Sequence, residues 1–293
     1  MTDIKRKHHY VWKEYLRAWA TKDDLIYTYF KRNNKVAKPN LKKIAQELYY
    51  YSSEEFTKKE KKDLIRITHQ ISDEYSLEVN ISILSAFNIY SDIKRNNTNI
   101  KEEELKIIKN NFIEDIHSDF ENYGKKIINV KRLEDLFFLK NKKELLKVMI
   151  YLCIQHNRTK EMKNRFEKTS LPNKYSNVIS MIFAIQMANK LVFEKKLNFK
   201  LLINKSDIDF ITSDQPIINL IDEKEDGSVD NLLYYYPISP GLSIQIDYEI
   251  SNSVFESISI DESRVKYLNA KIYQGSNNFI FSNSKEQLSK YIN

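Results

Sequence analysis

The chain has one cysteine, four glycines and five prolines among its 293 residues. The single cysteine, Cys153, excludes an internal disulfide framework and a zinc site built from cysteines. Cys153 lies in the apolar run VMIYLCI. Because reactive thiolates need polar, partly exposed surroundings, we expect a buried and inert thiol there.

The scarcity of glycine argues against a phosphate site cradled by a glycine-rich loop. The sequence contains no P-loop, no dinucleotide fingerprint, and neither the HExxH nor the GxSxG motif. Its carboxylates form no evident two-metal cluster. The sequence therefore predicts no nucleotide cofactor and no set of metal ligands.

Long hydrophobic runs are also lacking in the sequence. No apolar stretch approaches the about 18–20 residues that span a bilayer. The first residues are charged but lack the hydrophobic region and cleavage site of a signal peptide. We therefore expect a cytoplasmic protein that does not associate with membranes.

Charge is distributed unevenly along the chain. The net charge is +7, but residues 201–293 carry seven Lys and Arg residues against fourteen Asp and Glu residues. The first 200 residues are correspondingly basic. Such a basic part suggests an anionic partner, most naturally nucleic acid. The alternative is that the lysines only solvate the outer faces of helices.

The first fifty residues predict a β-hairpin and a helix. Two β-prone runs, residues 25–30 and 35–39, flank Lys31-Arg32-Asn33-Asn34, whose asparagines tolerate left-handed turn geometry. From Asn40, a plausible cap, apolar residues recur at helical spacing through residues 41–48. An isolated hairpin is only marginally stable, so we expect it to join a larger sheet.

The rest of the chain divides into a helical and a β-rich part. Residues 51–196 show helical periodicity, including an amphipathic helix that we expect to end at Gly124. Residues 197–293 contain short β-prone runs and one helix, SRVKYLNAKIYQG. The sequence thus predicts a single α+β domain over 1–293, with a mostly antiparallel C-terminal sheet that includes the hairpin.

The first candidate site is KHHYV, with His8 and His9 adjacent. On a strand their side chains point to opposite faces, so only one can enter a given site. One imidazole suits general acid/base chemistry at neutral pH, with Lys7 beside it as a substrate-binding residue. The alternative is that one histidine is a core residue and the other is exposed.

The second candidate is QHNRT, at the end of an apolar helical run. Gln155 and Arg158 share a helix face. The planar guanidinium of Arg158 can bind two oxygens of a phosphate or carboxylate, and Thr159 would contact the same substrate. The alternative is that Arg158 forms an internal bridge between helix and sheet.

The third candidate is FITSDQP, in which Ser213 and Asp214 follow an apolar strand. A carboxylate at a strand end can act as a base or a metal ligand, but Ser-Asp-x-Pro also commonly forms a turn. A fourth stretch, YYYPISPGL, is interpreted as structural, because its prolines would set a strand entry and a turn.

In this order, KHHYV, YLR, QxxRT, FITSDxP, YPISP and a late VKYLNAKIYQGSNNFIFS resemble the bacterial family called domain of unknown function 4238. The resemblance covers nearly the whole chain. The family usually has proline where this chain has Trp12, and commonly asparagine where it has Gln215. It implies one site assembled from the matching positions, which are His8, His9, Gln155, Arg158, Thr159, Ser213 and Asp214.

We predict that His9 faces this site and is held by the carboxylate of Asp214, whereas His8 is tied to the backbone or to the helical block. Arg158 should reach the same cleft. An aspartate partner would favour the imidazolium form and raise the pKa of His9.

Two functions follow as hypotheses. One is a nuclease-like or phosphoester-directed hydrolase acting on nucleic acid, such as a bacterial toxin or antiviral defence effector. Its catalysis would need no metal and would use His8, His9, Arg158 and Asp214. Its substrate would be bound by Lys7, Gln155, Thr159 and Ser213. The other is a module that binds nucleic acid or a protein in the same cleft without catalysis. The sequence leaves an oligomer or a protein partner open.

Overall fold

The protein has an α+β architecture, in which three sheets lie beside a large block of helices. The structure is a computed structural model, and it describes residues 3–96, 99–221, 231–248 and 253–290. The predicted fold class is confirmed.

The N-terminal part contains β1 (Lys7–His9), α1 (Lys13–Leu16), β2 (Tyr27–Phe30) and β3 (Lys35–Ala37). The predicted hairpin forms, since β2 pairs with β3 through a turn in which Asn34 has a left-handed φ of 46°. It also joins a C-terminal strand, because residues 27–30 pair antiparallel with residues 279–282.

The predicted helix after Asn40 is wrong. The Asn40 side chain does cap a turn, by accepting a hydrogen bond from Lys42, but this is a short 3-10 helix, Leu41–Lys43. The chain then forms β4 (Gln46–Leu48), which pairs antiparallel with β1. Left-handed residues, Ala45 and Tyr49, flank this strand and interrupt the helical path. Pairing with a distant strand thus overrides the local helical pattern.

Seven α-helices follow within the described residues 58–194. They are α2 (Lys58–Ile71), α3 (Leu77–Asn96), α4 (Glu102–Tyr123), α5 (Lys125–Ile128), α6 (Lys142–Asn157), α7 (Lys160–Phe166) and α8 (Ser176–Glu194), with 3-10 turns at Leu133–Lys140 and Asn173–Tyr175. The amphipathic helix α4 ends before Gly124, as predicted, although φ of Gly124 is −78° and not left-handed.

One helical stretch is apolar and long enough to cross a membrane. Asn173–Glu194 meets this criterion by length and composition, contrary to our sequence expectation. About 61% of its apolar window is buried inside the protein. Since α8 packs chiefly on α6 and α3, its apolar residues serve as core here.

The C-terminal part contains the remaining strands and two helices. These are β5 (Asn198–Asn204), β6 (Thr212–Ser213), β7 (Ile218–Asn219), β8 (Leu233–Ser239), β9 (Leu242–Asp247), β10 (Phe255–Ile260), α9 (Glu262–Gly275), β11 (Phe279–Ser282) and α10 (Lys285–Ser289). One sheet has the order β10-β5-β9-β8-β7 and another β3-β2-β11-β6. Their pairings are antiparallel except for β10 with β5, which are parallel.

The N-terminal aromatic residues anchor the first segment in the core. The Tyr15 hydroxyl bonds to Thr212 at 2.6 Å and donates to the Pro237 carbonyl at 2.8 Å. Trp19 donates its indole N–H to the Phe210 carbonyl at 2.8 Å. Cys153 is fully buried, and burial raises the pKa of its thiol to about 12. The expected inert thiol therefore matches its surroundings.

Candidate functional site

His8 is held by backbone groups on both sides of its ring. Its Nδ1 accepts the Tyr51 backbone N–H at 2.8 Å, so Nε2 carries the proton and donates to the Lys5 carbonyl at 2.9 Å. The ring is fully buried, and this burial lowers the pKa of His8. His8 is thus a neutral residue that fixes the N-terminal strand, in the way predicted for one member of the pair.

His9 is the partly exposed neighbour, and its Nε2 has no hydrogen-bond partner among the described residues. Burial is the main cause and the positive charge of Arg158 the second cause that lower the pKa of His9 to about 4. The predicted bond to Asp214 does not form. Without a carboxylate partner, His9 is neutral at physiological pH, which reverses the predicted direction of its pKa shift.

Asp214 uses its carboxylate to bind backbone. Its oxygens accept the N–H groups of Asn277, Asn278 and Phe279 at 2.9, 2.8 and 3.1 Å. Burial raises the pKa of Asp214 to about 6, while these three hydrogen bonds oppose the rise. The prediction that Asp214 holds His9 is wrong because both oxygens already bind the turn between α9 and β11.

Arg158 forms a buried ion pair. Its Nη2 donates to Glu121 at 2.6 Å and to the Gln155 side-chain oxygen at 2.5 Å. Gln155 in turn donates to the Tyr10 carbonyl at 3.0 Å. The internal bridge therefore connects α6 to α4 and to the N-terminal segment, rather than to a sheet.

Thr159, Ser213 and Gln215 form one further buried connection. Thr159 caps α7, and its hydroxyl donates to the side-chain oxygen of Gln215. Ser213 exchanges hydrogen bonds with the backbone of Gln215, at 2.9 and 3.1 Å. Ser213 and Asp214 are therefore turn-forming residues in this structure, whereas Lys7 is exposed on β1.

A wide groove lies outside this polar framework, and we name it the outer groove. It encloses about 630 Å³. Its lining combines four cations with three carboxylates, amides and tyrosines: Arg32, Glu47, Leu48, Tyr49, Tyr50, Ser52, Glu54, Lys160, Lys163, Asn164, Glu167, Asn173, Lys174, Ser176, Asn177 and Asn277.

Several predicted site residues hold in place the elements that line the outer groove. Thr159 begins α7, which supplies Lys160 and Lys163 to the groove, and Asp214 holds the turn that supplies Asn277. The Arg158 carbonyl accepts the Tyr50 hydroxyl at 3.1 Å. The structure thus brings Gln155, Arg158, Thr159, Ser213 and Asp214 into supporting positions, and none of them lines the groove.

Helix α4 contributes three ionisable residues that the sequence interpretation missed. Glu114, His117 and Glu121 lie three and four residues apart, so they share one helix face. Burial raises the pKa of Glu114 to about 8 and lowers the pKa of His117. The signal was present in EDIHSDFE, because acidic residues recur there on the face that carries apolar positions.

A metal centre has no support in the part of the chain that the structure describes. Within residues 3–96, 99–221, 231–248 and 253–290, no group of three His, Cys, Asp or Glu side chains could hold a metal ion.

Comparison with known families assigns the chain. A model of the family described as "Protein of unknown function (DUF4238)" matches residues 7–286. The chain belongs to this family. No curated protein and no solved structure matches it.

The matched region of this DUF4238 protein contains both departures from the family pattern. Trp12 has a φ of −61°, which proline also adopts, so the usual proline would fit the same turn. Gln215 donates to the Ile217 carbonyl at 2.9 Å and to the His156 carbonyl at 3.2 Å. Its longer amide therefore connects the turn to the end of α6.

Proposed function

We propose that the protein binds a single strand of nucleic acid in the outer groove. The observation that carries this proposal is the exposure and the backbone conformation of Tyr49. Its side chain is 40% exposed and its backbone has a left-handed φ of 58°, which bulky residues rarely adopt. Strained residues of this kind persist where the surrounding structure enforces them, and they cluster at functional sites.

An exposed aromatic beside cations suits single-stranded nucleic acid. Bases stack on aromatic faces whatever their sequence, while lysine and arginine contact the phosphates. Tyr49 supplies the aromatic face. Arg32 and Lys163 supply cations that form no ion pair within the described residues.

Carboxylates already pair with two of the four cations that line the outer groove, which limits the number of phosphate contacts. Lys160 pairs with Glu47 at 2.5 Å, and Lys174 pairs with Glu60 at 2.5 Å. With Arg32 and Lys163 left to contact phosphates, we expect about two contacts and a log–log salt slope of about −1.4. This is a shallower dependence than the overall basic charge suggests.

Binding is tested by fluorescence anisotropy with labelled RNA and DNA strands of about 12 nucleotides, and with a duplex as competitor. Tyr49→Ala should weaken binding roughly tenfold, since base stacking contributes about 1–3 kcal/mol per base. Tyr75→Ala is the matched control, because Tyr75 is 57% exposed and lies outside the groove. Absence of binding at low salt, or equal losses in both variants, contradicts the proposal.

Phosphoester hydrolysis is a second candidate, which one observation favours. His9 Nε2 and Glu114 Oε2 both lack a hydrogen-bond partner among the described residues. The positive charge of Arg158 acts on the pKa values of both side chains. Ionisable groups with strongly shifted pKa values are frequent at catalytic sites.

The same strands test hydrolysis when they are examined on denaturing gels, with and without EDTA. A nuclease should release shorter products, and His9→Ala should abolish them while leaving strand binding intact. Binding without cleavage of any strand supports the non-catalytic function.

A further inference from the structure

A second, smaller space lies behind the outer groove, and we name it the inner chamber. It is lined by Tyr51 and by residues of α4, α6 and α8, with Lys163 and Asn177 lining both the inner chamber and the outer groove. Lys163 donates to the Tyr50 carbonyl at 3.3 Å and lies 3.8 Å from the centre of the Tyr50 ring. Its side chain therefore forms part of the wall between the two spaces.

Three polar atoms of the inner chamber's lining residues have no partner among the residues that the structure describes. They are the Tyr51 hydroxyl, His117 Nδ1 and Arg158 Nε. The three residues are only 1%, 4% and 6% exposed. An unpartnered buried polar group is costly, and all three atoms belong to residues that line one chamber, which favours a bound species there.

The chemistry of these atoms favours an anion. Arginine Nε can only donate, a tyrosine hydroxyl can donate, and His117 Nδ1 donates in one of its two tautomers. Glu121 neutralises Arg158 at 2.6 Å, whereas the ammonium of Lys163 has no carboxylate partner among the described residues. The burial of Glu114, which raises its pKa to about 8, favours its neutral form at pH 7.

Size restricts the anion. The inner chamber has room for about one water-sized particle. Phosphate, sulfate and carboxylates carry several heavy atoms and do not fit such a space. Chloride, a single-atom anion only slightly larger than a water molecule, comes closest to this size and is abundant in solution.

We propose that the inner chamber is a chloride-binding site, in which the Tyr51 hydroxyl, His117 Nδ1–H and Arg158 Nε–H donate to the ion and Lys163 closes the side towards the outer groove. The site shares Lys163 with the outer groove, but its three donor residues do not line that groove. Chloride binds only the folded chain, so it should stabilise that chain in a saturable way.

The first test measures thermal unfolding of the full chain in sodium chloride, sodium bromide and sodium gluconate at equal ionic strength. Chloride and bromide should raise the melting temperature by several degrees and then saturate, whereas gluconate, which is too large for the inner chamber, should not. Equal melting temperatures in all three salts contradict the proposal and assign the chamber to a water molecule.

Tyr51→Phe supplies the matched variant. It keeps the ring against His117, whose centre is 4.1 Å away, and removes only the hydroxyl. Loss of a hydrogen bond to a charged partner should weaken chloride binding about tenfold or more. Tyr235→Phe is the control, since Tyr235 is equally buried but belongs to the other hydrophobic cluster. An unchanged chloride response in Tyr51→Phe overturns the proposed site.

Crystals of the wild-type protein grown in bromide give a direct result that does not depend on any variant. An anomalous bromide peak between Tyr51, His117 and Arg158 supports the site. The absence of such a peak contradicts the site, provided that the bromide concentration in the crystals exceeds the dissociation constant obtained from the melting curves.

Discussion

His8 Nδ1 accepts the backbone N–H of Tyr51 at 2.8 Å, across more than forty residues of chain. The ring also stacks on Tyr51, with centres 5.8 Å apart. This contact explains one of the paired histidines as a connection between the first strand and the loop after β4. It also holds Tyr51, which lines the inner chamber.

Replacing His8 should therefore affect stability. His8→Ala leaves the Tyr51 N–H and the Lys5 carbonyl without their side-chain partner, which should cost about 2–3 kcal/mol of unfolding free energy. Urea unfolding measures the loss. His69→Ala, at an exposed position of α2, is the control and should change stability by less than about 0.5 kcal/mol. Similar losses in both variants would contradict the structural role of His8.

Asp214→Asn tests the turn that closes on β11. The amide keeps the size of the side chain, but its NH₂ group must face at least one backbone N–H of residues 277–279. We expect a loss of about 2–4 kcal/mol in unfolding free energy, together with weaker strand binding because Asn277 lines the outer groove. Asp207→Asn, an exposed carboxylate, serves as the control. A stable Asp214→Asn protein with unchanged binding would be inconsistent with this role.

The ion pair between Arg158 and Glu121 is suited to a double-mutant cycle. Arg158→Met and Glu121→Gln should each cost about 3–5 kcal/mol of unfolding free energy, because each leaves the other residue as a buried charge with no opposite charge beside it. The double variant should lose clearly less than the sum. The exposed pair of Arg66 and Asp63 is the comparison, and its coupling should stay below about 1 kcal/mol. Additive losses at Arg158 and Glu121 would show that the pair is not coupled.

Gly124→Ala should destabilise the protein by about 1–3 kcal/mol, since a Cβ there would lie 2.6 Å from the Tyr151 ring. The ring cannot move easily, because it is buried and its hydroxyl bonds to Tyr236 at 2.8 Å. At Gly241 an added Cβ meets nothing within 4 Å, so Gly241→Ala is the control. Melting temperatures of the two variants give the comparison, and equal values would contradict the close packing at Gly124.

Glu114 predicts a pH dependence. Its pKa is raised to about 8 by burial, so the folded protein retains a proton that the unfolded chain loses above a pH of about 4.5. Stability should then fall as the pH rises from about 5 to 8, by at most on the order of 1 kcal/mol per pH unit.

Glu114→Gln removes this group without changing its shape. Urea unfolding at several pH values should show a weaker fall for this variant than for the wild-type protein. Glu103→Gln, at an exposed position of the same helix, should follow the wild-type curve. Parallel curves for Glu114→Gln and the wild-type protein would mean that Glu114 is ionised in the fold.

Local patterns predicted much of the secondary structure. The two β-prone runs around Asn34 became β2 and β3, because a left-handed asparagine turn is a property of four neighbouring residues. Helix α9 and the helical block followed from apolar spacing in the same way. The alternation of His8 and His9 across a strand was likewise a matter of local geometry.

Tertiary structure decided the rest. Residues 41–48 have helical spacing, yet residues 46–48 form a strand because β1 offers unpaired backbone groups at that position. Asp214 had three backbone donors more than sixty residues away, and Arg158 had Glu121 on another helix. A sequence shows which side chains can donate or accept. It does not show which partner satisfies them, since that depends on distant segments packing together, and for this reason the predicted site residues became the framework behind the outer groove.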